Sequence, residues 1–181
     1  SDITVVLVPG IYGELFDGEL WQRGLRSVRE RLGVRTMTVN VDGRCSSAIN
    51  ATALLSGLRD DTRRRLERGY ARPRYLLIGY SKGGVDAMDA LLADSVLAHQ
   101  QVAALVTVAT PHLGSPVAER AEIPPSLLQW ASRDSIPTAC KADGSAASLF
   151  PATRRAFWGE RGASAGERTR LFSIAFAADA H

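Results

Sequence analysis

The chain has 181 residues, a length typical of one domain, and 45% of them are hydrophobic, which is enough for a continuous core. Its 22 basic and 19 acidic side chains nearly cancel to a net charge of +3. The one basic cluster, residues 63–65, falls in a predicted helix with acidic neighbours. We interpret it as a solvated helix face, and no nucleic-acid partner is predicted. No apolar run approaches the length of a membrane span.

The two cysteines, Cys45 and Cys140, are too far apart in sequence for a C-x-x-C metal or redox motif. Two free thiols are the prediction, and a disulfide is the alternative if the protein is exported. The chain starts with Ser1 and Asp2 and then enters a strand, without a signal-peptide pattern. A chain that begins after a cleaved signal would look the same. A cytoplasmic location is therefore favoured, with export left open.

Five short apolar runs rich in β-branched residues, bounded by Gly, Pro or polar residues, predict five strands. They cover residues 3–8, 34–41, 74–79, 102–109 and 171–176. Apolar residues at helical spacing predict three helices between the first four strands. These helices cover residues 19–32, from Ser46 or Ser47 to about 68, and from the turn after residue 79 to about 98.

Strands that alternate with helices predict the α/β class, with a doubly wound and mostly parallel sheet covered by helices on both faces. Residues 118–168 show no strand pattern and are interrupted by prolines, with short helical pieces at 126–132 and 146–157. This stretch is too long for a plain connection. We therefore predict a single domain over residues 1–181, with 118–168 as a cap or lid insert.

The segment Gly79-Tyr80-Ser81-Lys82-Gly83-Gly84 lies between a predicted strand and a predicted helix. That context is required by the G-x-S-x-G nucleophile elbow, a sharp turn that exposes a serine hydroxyl. A serine is a poor nucleophile unless it is exposed and activated by a base. The flanking glycines fit because a Cβ would clash in the cramped turn. Ser81 is the predicted nucleophile.

An oxyanion hole needs two backbone N–H groups directed at the developing negative charge. Lys82 supplies the first, because it follows the nucleophile at the start of a helix. Ile11, in the loop after the first strand, supplies the second, although a plain glycine turn remains the alternative there. The residues predicted to contact substrate are Gly10, Tyr12, Tyr80 and His112.

Three segments of the chain, 6–13, 79–84 and 106–116, together resemble α/β-hydrolases of the triacylglycerol-lipase type. In that family an oxyanion loop, the elbow and a Thr-Pro-His-x-Gly-Ser segment follow one another in this order. Pro9 stands where the family has His, and Lys82 stands where lipases often carry Gln, His or Met. Only the backbone N–H of Lys82 is needed for catalysis. Its ammonium is expected to point to solvent or to pair with an acid, and attraction of an acidic group of the substrate is the alternative.

The resemblance implies the chain order Ser, acidic residue, His for the catalytic residues. Asp179 follows the last predicted strand and is the candidate acid, and His181 is the candidate base if the end of the chain folds back. His112 is expected to shape its loop rather than act as base, and His99 is expected on the surface. The chain is expected to lack the C-terminal strand and helix of the family and the histidine that follows them, and so to leave an apolar sheet edge exposed.

The resemblance thus implies a serine hydrolase that cleaves carboxylic esters, with lipid or acyl substrates, through an acyl-enzyme on Ser81. It implies no cofactor and no metal, leaves the oligomeric state undefined, and leaves transient contact with a lipid surface open. The alternatives are a non-catalytic module that binds an acyl ligand or a protein, and an acyltransferase or thioesterase. Apolar residues of the insert either form a lid over an acyl chain or pack on the sheet; they are Leu127, Leu128, Trp130, Leu149, Phe150, Phe157 and Trp158.

Overall fold

A computed structural model of the protein describes residues 2–11, 18–39, 41–119, 140, 146–165 and 170–175. Within them, five strands form one parallel sheet: β1 (Ile3–Val8), β2 (Arg35–Thr38), β3 (Arg74–Tyr80), β4 (Val102–Val108) and β5 (Arg170–Ile174). The helices are α1 (Gly18–Leu32), α2 (Ser47–Glu67), α3 (Lys82–Ala93), α4 (Ser95–Gln101), α5 (Pro116–Glu119) and α6 (Pro151–Ala165), and a 3₁₀ turn covers Ala146–Leu149.

The strand order, β2-β1-β3-β4-β5, places the first two strands on one side of the sheet and the last two on the other. The order reverses between β1 and β3, and in open α/β sheets ligands bind at the carboxyl ends of the strands beside such a point. Val8 pairs with Gly79 and Tyr80 pairs with Val108. The loops that follow β1, β3 and β4 therefore begin side by side at the carboxyl ends of the strands.

The core forms because the central strands are apolar on both faces, as a parallel sheet covered by helices requires. Helices α2 and α3 pack on each other and α3 also packs on β3. Side chains of α2 and α3 are buried with those of the strands; examples are Leu54, Leu58, Ala87, Met88, Val6, Leu77 and Leu105. Phe157 and Trp158 of α6 pack against this core. Of the two alternatives stated for the apolar residues of the insert, a lid or packing on the sheet, packing is the one observed for these two residues.

The predicted α/β architecture is confirmed, and the boundaries differ in three places. Strand β2 is shorter than predicted, and β5 starts and ends earlier. The helix predicted to continue to about residue 98 is interrupted at Asp94, whose carboxylate accepts a hydrogen bond from the N–H of Leu97 at 2.9 Å and so begins a new helix. The cap was not predicted because the helical spacing of apolar residues continues through Asp94. Ser46 caps α2 as predicted, with its side chain accepting from the N–H of Ile49.

Asp94→Ala is expected to lower the free energy of unfolding by about 1 kcal/mol at neutral pH, because a helix N-cap is lost. The hydrogen bond from Leu97 is the main cause that lowers the pKa of Asp94. A lowered pKa in the folded state means that the carboxylate stabilises the fold above its unfolded pKa. The difference from wild type should therefore vanish as the pH falls through the folded pKa, measured by urea unfolding at several pH values. Asp60→Ala, at an exposed ion pair, is the control and should change stability little.

Cys45 and Cys140 form a disulfide, so the prediction of two free thiols is wrong. Their Cα atoms lie 4.7 Å apart although 95 residues separate them in sequence, and both residues are buried. Cys45 lies in the loop that leads into α2. A single sequence does not show which distant loops meet in space, so the pairing was not predictable.

Strand β5 lies at the edge of the sheet among the described strands, and the apolar side chains of Leu171, Phe172 and Ile174 are exposed there. An exposed apolar edge at this strand was expected from the sequence. Among the described helices, none combines the length and the apolar character that a membrane span requires.

Candidate active site

Ser81 is the single residue that joins the end of β3 to the start of α3. Its backbone angles are φ 51° and ψ −125°, a conformation that few non-glycine residues adopt. The turn is held from both sides, since the N–H of Ser81 donates to the carbonyl of Val108 at 2.8 Å and its carbonyl accepts from the N–H of Gly84 at 3.1 Å. Strained residues of this kind concentrate at functional sites.

The glycines around Ser81 are required by close backbone packing. A Cβ on Gly83 would overlap the carbonyl oxygens of Val8 and Pro9, and one on Gly84 would overlap the side chain of Thr110. The turn therefore contacts the loop after β1 on one side and the loop after β4 on the other. The three segments that carried the family resemblance meet at this point.

Gly83→Ala is expected to lower the free energy of unfolding by about 3 kcal/mol, because the new methyl group meets backbone rather than a movable side chain. Gly159→Ala is the matched control, since Gly159 lies in α6 with no atom within 4 Å of an added Cβ. The control should raise stability by about 0.5–1 kcal/mol, because Ala is the better helix former. Thermal or urea unfolding of both variants measures this. Equal effects of the two variants would contradict the packing argument.

The two candidate oxyanion donors, Ile11 and Lys82, belong to segments that adjoin the turn at Ser81. A Cβ placed on Gly10 would lie 2.9 Å from the carbonyl oxygen of Tyr80 and 3.5 Å from Oγ of Ser81, so the loop after β1 lies directly against the turn. Ile11 is the next residue of that loop. Lys82 opens α3, where the first N–H groups have no intrahelical acceptor and the helix dipole favours an anion.

The side chain of Lys82 is fully buried, and its Nζ lies 2.7 Å from Oδ1 of Asp86, one helical turn later. Of the two orientations expected from the sequence, pairing with an acid is therefore confirmed and pointing to solvent is wrong. Burial is possible because Asp86 neutralises the ammonium at the i+4 position, which lies on the same helix face. The ammonium is thus not available to an acidic group of a substrate.

An aromatic pair lies beside the turn. Tyr80, a predicted substrate contact, keeps 37% of its surface exposed, and its ring centroid is 5.2 Å from that of Trp21 in α1. Trp21 was not predicted as a site residue, because its helical spacing indicated only a core position. Nothing in the sequence alone places α1 over the end of β3. Tyr12, also a predicted contact, lies outside the described residues.

His112 is held in place by hydrogen bonds with Thr107 and Trp158. Its Nε2 lies 2.9 Å from Oγ1 of Thr107, and its carbonyl accepts a hydrogen bond from Nε1 of Trp158 at 2.7 Å. Burial lowers the pKa of His112, and the charge of Arg154 lowers it further, so both favour the neutral imidazole. These contacts fit the loop-shaping role expected of His112. Its predicted contact with substrate stays a prediction.

The remaining predicted residues divide into two groups. His99 is exposed on α4, as expected. Asp179 and His181, the candidate acid and base, lie outside the described residues and stay predictions. The strand that precedes them in sequence, β5, ends on the same side of the sheet as β3, which leads into Ser81. There Ile174 pairs with Val108 and accepts a hydrogen bond from the N–H of Ala109 at 2.9 Å.

No protein-family model and no curated protein sequence matches the chain. Solved structures do match. The metagenomic carboxyl esterase MGS0156 superposes with a TM-score of 0.73 at 29% identity, over 97% of this chain. The mature form of the Bacillus licheniformis lipase BlEst2 gives 0.69 at 20% identity over 94%, and the Legionella pneumophila phospholipase PlaB gives 0.62 at 17% identity over 94%.

The chain has the α/β-hydrolase fold and is similar in structure to a carboxyl esterase and a lipase. The resemblance found in the sequence is thereby confirmed at the level of the fold. The chain spans 50% of the length of the metagenomic esterase, 64% of the lipase and 37% of the phospholipase.

Proposed function

We propose that this protein is a serine hydrolase that cleaves carboxylic esters through an acyl-enzyme on Ser81. The observation that carries the proposal is the strained backbone of Ser81, held between the loop after β1 and the N-terminus of α3. A binding module has no need of a serine at positive φ next to the N-terminus of a helix. The carboxyl esterase and lipase among the structural neighbours support the same activity.

The proposed reaction proceeds in two half-reactions. Oγ of Ser81 attacks the ester carbonyl while a histidine accepts its proton and an acidic residue orients the imidazole. The candidates for these two roles within this chain are His181 and Asp179. The N–H groups of Ile11 and Lys82 stabilise the negative oxygen of the tetrahedral intermediate. The intermediate collapses, the alcohol leaves with the proton from the base, and water then releases the acid by the same steps.

The surroundings of Ser81 support an apolar acyl group as the preferred substrate. Tyr80 and Trp21 form an aromatic surface next to the turn, and the ammonium of Lys82 is turned away into the core. Lys82 therefore does not provide a cation that could bind an acidic substrate. Lipid or acyl esters fit these surroundings.

The disulfide supports an oxidising compartment as the location of the protein. Disulfides persist in secreted and periplasmic proteins and are rare in the reducing cytosol. We therefore propose export rather than the cytoplasmic location favoured by the sequence, with the Cys45–Cys140 bond as the supporting observation.

A fluorophosphonate probe applied to the full-length protein tests the proposed function. The probe reacts with activated serines, so mass spectrometry should find the phosphonyl group on the peptide that contains Ser81. p-Nitrophenyl esters of short, medium and long acyl chains then define the substrate range. A folded protein that neither reacts with the probe nor hydrolyses any of these esters would instead support a non-catalytic module.

A further inference from the structure

A buried polar network lies beneath the turn at Ser81. The side chains of Lys82 and Asp86 are 0% and 1% exposed and form an ion pair. Oδ2 of Asp86 accepts a hydrogen bond from Nδ2 of Asn50 at 2.8 Å, and the same Nδ2 donates to the carbonyl of Asp42 at 2.9 Å. The network therefore connects the first turn of α3 with the first turn of α2 and the loop that precedes it.

Fold stability alone does not explain this network. A buried ion pair is often no more stabilising than apolar residues of the same volume, because both charges lose their hydration. The position of Lys82 adds a further cost, since a cation in the first turn of a helix is opposed by the helix dipole. An apolar residue at this buried position would avoid both costs.

The network has one property that an apolar side chain would lack, which is directionality. The ion pair and the hydrogen bond from Asn50 fix Nζ of Lys82 at one point, and the backbone N–H of Lys82 belongs to the same residue. The preceding residue, Ser81, has a strained conformation, so the turn does not hold itself in place by backbone preference.

We propose that Lys82, Asp86 and Asn50 form a positioning network that holds the backbone N–H of Lys82 at the oxyanion. Asp86 and Asn50 act through Lys82 and do not touch the substrate. The inference rests on the proposed function, because it assigns a role within ester hydrolysis. It predicts that loss of the network affects the transition state more than substrate binding.

Four variants of the full-length protein test the network: Asp86→Asn, Lys82→Met, the double variant that combines these two, and Asn50→Ala, which leaves the ion pair intact. The first three should lower kcat by about tenfold to a hundredfold with KM within about twofold, because the donor is displaced rather than deleted. Asn50→Ala should lower kcat by a smaller factor. The double variant should regain melting temperature relative to Lys82→Met without regaining kcat.

Asp61→Asn is the matched control. Asp61 is a buried carboxylate that pairs with Arg35 at 3.0 Å. This pair lies near the amino ends of β1 and β2, whereas Ser81 follows the carboxyl end of β3. It should lose melting temperature as Asp86→Asn does and keep the wild-type kcat. If Lys82→Met does not fold, Asn50→Ala and Asp86→Asn still decide the question.

The inference is overturned if kcat follows the melting temperature in all variants, or if the double variant recovers both. Labelling by the fluorophosphonate probe separates this result from failure of the proposed function. A wild-type protein that is inert to the probe overturns the proposed function and the inference with it. A labelled wild type whose network variants keep their kcat overturns the inference alone.

Discussion

Ser81→Ala is expected to lower kcat for ester hydrolysis about a millionfold and to leave KM nearly unchanged, because the nucleophile is lost while the binding surface remains. The variant should keep its fold, since Ala and Ser pay a similar cost for the backbone conformation at φ 51°. Initial-rate kinetics on p-nitrophenyl esters and thermal unfolding measure the two effects separately.

Ser95→Ala is the matched control for this variant. Ser95 is the first residue of α4, whose N-cap is Asp94, so the substitution leaves the cap intact. It should retain both kcat and stability. A Ser81→Ala protein with more than about a hundredth of the wild-type kcat would be incompatible with covalent catalysis at Ser81.

Removal of the disulfide, by reduction or by Cys45→Ser combined with Cys140→Ser, is expected to lower the free energy of unfolding by up to about 5 kcal/mol. The chain-entropy model gives about 4.7 kcal/mol for a closed loop of this order of length. The bond joins residues 95 positions apart and ties the loop before α2 to the stretch between α5 and α6. Urea unfolding with and without reductant measures the loss.

The double serine variant also supplies the control for the reductant. These two are the only cysteines of the chain, so the reductant should have no effect on the variant. Equal stability of the oxidised and reduced wild-type proteins would contradict the expected stabilisation by the bond.

Local patterns were sufficient to predict most of the fold. The apolar runs that became β1, β3 and β4 are signals that act over a few residues. The turn at Ser81 was equally accessible, because its strand, glycines and helix are contiguous in sequence. The cap at Asp94 was missed because apolar spacing continues through it.

Features that depend on distant pairs could not be predicted in the same way. The burial of Lys82 requires Asp86 and, from another helix, Asn50. The proximity of Trp21 to Tyr80 depends on how α1 crosses the sheet. The disulfide depends on which loops meet in space. In each case the sequence supplies the chemical groups, and tertiary packing decides which of them meet.

The conformation of Ser81 has a consequence for directed evolution of this protein. Glycine adopts positive φ at little cost, as Gly33, Gly69 and Gly114 do elsewhere in the chain. A library selected only for heat resistance should therefore enrich glycine at position 81 and discard the hydroxyl. Selection for thermostability and selection for turnover would favour different amino acids at this codon, so a screen must score both properties.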